Sequence, residues 1–172
     1  MAIYALGDVE PRIDPEAYVH PDATIIGHVT LGAGTTVWPQ AVLRGDYGEI
    51  IVGARTSVQD GAVLHATPLL PTTVGDDVVV GHLAHLECCI VHDGALIGTG
   101  SIVLHRAVVE RGALVGAGAV VPNGVVVPSG AMALGVPAKI RTDSVDVEET
   151  LRNAAQYVRN GERYRKELRR ID

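Results

Sequence analysis

Aliphatic residues recur every six positions along most of this chain, and that period leaves few folds open. The series runs Val19, Ile25, Leu31, Val37 and Leu43, then slips by three residues. It resumes at Val52, Val58 and Leu64, breaks at "ATPLLPT", and returns at Val74, Val80 and Leu86. After one dropped residue it continues through Val91, Ile97, Val103, Val109, Val115, Val121 and Val127. A small residue often follows four positions later: Ala95, Ser101, Ala107, Ala113, Ala119. A helix repeats at about 3.6 and a lone amphipathic strand at about 2. A period of six with small turn residues is the hexapeptide signature of a parallel β-helix. Each hexad is one short strand and a turn, and three hexads close one coil of a triangular prism. The repeated aliphatic points inward and its two neighbours point out. A valine-rich sandwich is the competing fold, and nothing in it demands so strict a spacing.

Composition agrees. Hydrophobic residues make up 47% but aromatics only 3%, so the core must be Val, Ile, Leu and Ala. The 20 glycines suit a chain with many evenly spaced turns. A formal net charge of −6 argues against nucleic acid or an anionic membrane as partner. No apolar run reaches the ~18 residues of a transmembrane helix. The start, "MAIYALGDVE", lacks the basic and long apolar regions of a signal peptide. Two adjacent cysteines, Cys88 and Cys89, make no disulfide framework, and a reducing cytoplasm is the expected location. Cys88 is expected to alternate inward, and both thiols read as buried structural groups.

From Ser144 the pattern changes. Val147, Leu151, Ala154, Val158 and later Leu168 and Ile171 have helical spacing, with acids early and bases late. Gly161 is a candidate kink. The expected organisation is a β-helix over residues 1–140 and a C-terminal helix over 141–172, packed on the prism as part of one structural domain. The fold class is mainly β.

The register places polar side chains. With Val52, Val58 and Leu64 on faces one, two and three of a coil, His65 and Glu87 both point outward from face three, one coil apart. Adjacent strands lie ~4.8 Å apart, so the two stack, with Arg44 one coil below His65. His82 falls on face two and cannot reach Glu87 of its own chain. In a trimer of parallel prisms, face two of one subunit meets face three of the next. His65, Glu87 and a neighbour's His82 then converge: two histidines and a glutamate, an accepted zinc triad with a position open for water. His85 also points outward on face three, as a substitute ligand, a supporting donor or a solvated surface residue. His20, His28, His92 and His105 fall into no shared cluster, and solvent-facing or turn roles are expected.

Several segments carry a resemblance. "TVWPQAVLRGDYGEIIVG", "SVQDGAVLH", "VVVGH", "LVGAGAVVP" and "ALGVPAKI" together resemble the γ-class carbonic anhydrase family over nearly the whole chain. The resemblance implies a left-handed β-helix and a homotrimer with metal sites at subunit interfaces. The metal is zinc, or iron or cobalt, one per interface. Two of the family's three metal-binding histidines match His65 and His82. The third position is Glu87, since "GHxAxxHG" reads "GHLAHLEC" here. Arg44, Asp46 and Asp60 match residues that pair across the trimer interface. Gln59 matches a residue that orients the water or substrate, and Tyr157 a helix residue that closes over the site. The implied reaction is reversible hydration of carbon dioxide to bicarbonate, weakened by Glu87. Two other readings stand beside it. One is a non-catalytic trimeric scaffold or binding protein; the other is a hexapeptide acyl-CoA transferase with His82 or His85 as base.

Overall fold

A computed structural model describes residues 2–142 and 145–172. It is a left-handed parallel β-helix followed by one helix, Val147–Glu167. Every residue of the six-period series lies in one buried core. On face two, Val19, Val37, Val58, Val80, Ile97 and Val115 stack in register through parallel pairs. Face three stacks Ile25, Leu43, Leu64, Leu86, Val103 and Val121. Face one stacks Leu31, Val52, Val74, Val91, Val109 and Val127. Short aliphatics suit this geometry because identical side chains repeat at strand spacing and interdigitate without voids.

The three-residue slip after Leu43 has a structural cause. Val42–Val52 is one strand that turns the corner from face three to face one without a break, as does Thr24–Leu31. Faces three and one therefore form a single 12-stranded sheet, while face two is a separate eight-stranded one. The "ATPLLPT" segment projects at the same corner, closed by a bridge between Thr67 and Leu70. At the far end the chain reverses, and Lys139–Arg141 pairs antiparallel with Met132–Leu134.

The C-terminal helix is capped by Asp146, whose side chain accepts the Glu149 N–H at 3.1 Å. Glu148 and Glu149 lie in the first turn and Arg165 and Lys166 in the last, matching the helix dipole. It runs back along the corner between faces one and two, with Val147 beside Gly112, Leu151 beside Gly94 and Val158 beside Gly34. At its far end Tyr157 and Tyr164 meet Trp38 edge-on, with ring centroids 6.2 and 5.0 Å away. Trp38 Nε1 donates to Thr36 Oγ1 and Ser57 Oγ, so the one tryptophan is fixed in place. Arg165 donates to the carbonyls of Pro15, Glu16 and Ala17.

Two expectations for the tail are corrected. Gly161 does not kink the helix: it is buried, and a Cβ there would stand 2.6 Å from Thr36 Cγ2 and 3.2 Å from Tyr18 Cβ. The missing side chain lets the helix approach Thr36 and Tyr18 closely there. Leu168 and Ile171 lie beyond the helix end and are exposed, so they add nothing to its apolar stripe. Ser144, where the change of pattern begins, lies outside the described residues. No helix among the described residues is long and apolar enough to cross a membrane.

Candidate functional site

Face three brings together the outward column that the register predicts. Arg44 pairs in the ladder with His65, and His65 with Glu87. The side chains join them further. Arg44 forms an ion pair with Asp46, two residues on in the same strand. Asp46 Oδ1 lies 3.1 Å from His65 Nε2, and His65 Nδ1 lies 3.0 Å from Glu87 Oε1. A neutral imidazole donates through only one nitrogen, so this ring bonds both carboxylates as a donor only when doubly protonated. His85, on the same strand as Glu87, places Nε2 3.3 Å from Oε2 of that carboxylate.

The electrostatics follow from these contacts. The hydrogen bond from His65 is the chief cause that holds Glu87 below the usual carboxylate range. His85 adds to it, and both outweigh the cost of partial burial. For Asp46, burial pushes upward, but the bonds from Arg44 and His65 together overcome it and the carboxyl is held low.

One expectation about histidines is overturned. His105 does belong to this cluster: its Nε2 is 4.0 Å from Glu87 Oε1. Leu86 pairs with Val103, so carrying the register one coil further places His105 just past that strand, above Glu87. His20 and His28 instead meet local acids, Asp22 and Glu49.

The other predicted residues lie round face two. His82 is not on the face itself but in the turn after Val79–Val80, where Leu83 takes a positive φ. There its Nδ1 lies 2.8 Å from Asp60 Oδ2, and both side chains are about half exposed. Leu83 N–H donates to the Asp60 carbonyl, so the two turns stack. Gln59, beside Asp60, is buried. Trp38 and Gln59 donate their backbone N–H groups to Val58 and Val80, so they are successive rungs of one column, and Tyr157 packs on Trp38. One chain thus carries two groups on adjacent faces: Arg44, Asp46, His65, His85 and Glu87 on face three, and Gln59, Asp60, His82 and Tyr157 at face two. Among the described residues of one chain, no three His, Cys, Asp or Glu side chains meet in a geometry that would hold a metal ion.

The cysteines also differ from expectation. The dropped residue after Leu86 puts Cys89, not Cys88, in the core. Cys88 takes a positive φ at the corner, where its sulfur bonds Thr67 and its N–H donates to Thr72 Oγ1. Both thiols are buried, and burial first of all pushes the Cys89 thiol up to about 12.

This geometry has clear relatives. A Geobacillus kaustophilus protein named carbonic anhydrase is 43% identical over 165 residues, spanning 95% of this chain and 91% of the relative. The carnitine operon protein CaiE of a Proteus species is 39% identical over 146 residues, 85% of this chain and 74% of its own. Among solved structures, a Bacillus cereus gene product assigned as an acetyltransferase superposes with a TM-score of 0.94 at 37% identity, over 97% of this chain and 98% of that one. A hexapeptide transferase family protein from Anaplasma phagocytophilum gives 0.91 at 33% identity, over 95% and 98%. No family model matches the sequence. The sequence relatives and the solenoid they share place the chain by descent as well as by shape: it belongs to the γ-class carbonic anhydrase and hexapeptide-repeat family of left-handed β-helices.

Proposed function

We propose that this protein is a metal-dependent carbonic anhydrase of reduced activity, assembled as a homotrimer. Its site would draw His65 and Glu87 from face three of one subunit and His82 from the corner of the next. The observation that carries the reading is the His65–Glu87 pair at 3.0 Å, backed by Asp46 and Arg44, while His82 stands half exposed on the adjacent corner. The donor set fits zinc, iron or cobalt: two imidazoles and one carboxylate are a known zinc set. The Asp46 contact to the far nitrogen of His65 is the support that a ligating histidine needs. His65 would then turn its other nitrogen from Glu87 to the ion.

When bound, the metal supplies Lewis acidity for hydration of carbon dioxide to bicarbonate. The chain's own groups do the rest. Arg44 holds Asp46, Asp46 orients His65, buried Gln59 orients substrate, and Tyr157 closes the face-two side. Asp60, paired with His82 here, would pair with Arg44 or its surroundings across the interface. Glu87 contributes a negative charge where a third imidazole would be neutral, which lessens the acidity of the site and slows hydration. Glu87→His is expected to raise hydration in a stopped-flow indicator assay. No gain in a zinc-loaded Glu87→His protein would overturn the role given to this residue.

One observation favours a second reading, a non-catalytic trimeric scaffold. Both ring nitrogens of His65 are taken up by carboxylates within the chain. Elemental analysis of the purified protein separates the two, since the scaffold contains no stoichiometric metal. An acyl-CoA transferase would instead bind acyl-CoA in calorimetry.

A further inference from the structure

Thr72 is the exception in an apolar column. At the corner where face three passes into face one, the inward positions of successive coils are Val29, Ile50, Thr72, Cys89 and Ala107. Its four neighbours in the column belong to the hydrophobic core. Thr72 is as deeply buried as they are, yet it carries a hydroxyl.

That hydroxyl works in both senses. It donates to the His65 carbonyl at 2.5 Å and accepts the Cys88 N–H at 2.7 Å. The two partners mark where two strands stop. His65 is the last residue of Val63–His65, and Cys88 directly follows Glu87, the last residue of His85–Glu87. Beyond His65 the chain leaves for the loop closed by Thr67 and Leu70, and beyond Glu87 it turns through Cys88 at a φ of 55°. The ladder that sets His65 beside Glu87 thus ends at the very residues whose side chains meet at 3.0 Å. A buried hydroxyl costs free energy unless it is bonded, and this one is bonded to both strand ends.

We infer that Thr72 is a positioning residue: by tying the His65 carbonyl to the Cys88 N–H, its hydroxyl fixes the spacing of the His65 and Glu87 side chains at the candidate site. Both bonds are to backbone, so Thr72 acts through His65 and Glu87 and not on substrate. The consequence for metal binding rests on the interface reading above; the placing of the pair does not. Loop anchoring is a separate matter. Thr67, at the neck of the loop, bonds the Cys88 sulfur through its N–H and its Oγ1, each at 3.3 Å, and neither bond involves His65.

The imidazole nitrogen chemical shifts of His65, measured by NMR on the metal-free, histidine-labelled protein, test the inference. Thr72→Val should move them from those of a ring bonded at both nitrogens toward those of a solvated ring. Thr72→Ser should restore the parent shifts, and Thr67→Ala should leave them in place. Should the valine variant fail to fold, Thr72→Ala removes the same hydroxyl without adding a methyl, and carries the same expectation. In zinc titration against a chromophoric chelator, loss of the hydroxyl should weaken binding by at least about tenfold, as loss of a supporting group does. The serine variant should stay within about threefold of the parent. His65 shifts that stay unchanged without the hydroxyl overturn the inference, whatever the zinc affinity does. Failure of serine to restore them, or an equal displacement in Thr67→Ala, overturns it too. A parent protein that binds no zinc, with shifts that respond as expected, overturns the interface reading and leaves the positioning role standing.

Discussion

Gly161 and Cys89 show how much a single position can carry here. Replacing a helical glycine by alanine ordinarily gains up to about 1 kcal/mol of helix propensity. At Gly161 the new Cβ would meet the methyl of buried Thr36 at 2.6 Å, and Thr36 sits on a rigid strand. Overpacking of that kind costs about 1–3 kcal/mol, so Gly161→Ala is expected to lower the melting temperature in calorimetry rather than raise it. Cys89 predicts a silence. Its thiol is pushed up to about 12 by burial, and it lies wholly in the core. Thiol reagents at pH 8 should label it only after denaturant is added. The acids Asp46 and Glu87 are held below their ordinary range by their partners, so each stabilises the fold while ionised. That contribution is present above the ordinary carboxylate range and is lost as pH falls through the lower folded values. In metal-free protein, the urea midpoint of the parent should therefore fall more steeply with acid than that of Glu87→Gln.

At the scale of elements, the period of six made nearly all of the β-helix legible. Spacing alone places each member of the six-residue series from Val19 to Val127 inward, because a solenoid repeats one environment and so repeats one side-chain type. The column Arg44, His65, Glu87 followed from the same rule. What stayed hidden lay at corners and across the helix. Spacing puts His82 on a face because it does not reveal a positive φ at Leu83, a residue that rarely adopts it. The spacing does not join His105 to Glu87 because His105 lies one coil away and past the end of its strand. The exchange of Cys88 for Cys89 came from a five-residue step, which shifts inward and outward by one. Gly161 read as a breaker because only the packed partner, Thr36 with Tyr18, explains a missing Cβ. The core strands themselves predict a simple result: Leu64→Ala, at the centre of face three and fully buried, should cost about 2–5 kcal/mol by denaturant titration.

The whole molecule is a stack in which each coil touches mainly the coils above and below it. Such a stack folds with each coil templating the next, and the helix ties distant coils together by running from Gly112 back to Thr36 and Tyr18. Stability is thereby shared between the two ends of the prism. The antiparallel strand Lys139–Arg141 has a different meaning at this scale. A parallel ladder has no intrinsic length: its last strand offers the same unpaired edge as every earlier one, and a second chain could dock there and continue the pattern. By doubling back, Lys139–Arg141 meets the edge strand Met132–Leu134 with the opposite polarity and an exposed lysine. The reversal works as punctuation. On face two it closes a sentence that the repeat by itself would let run on.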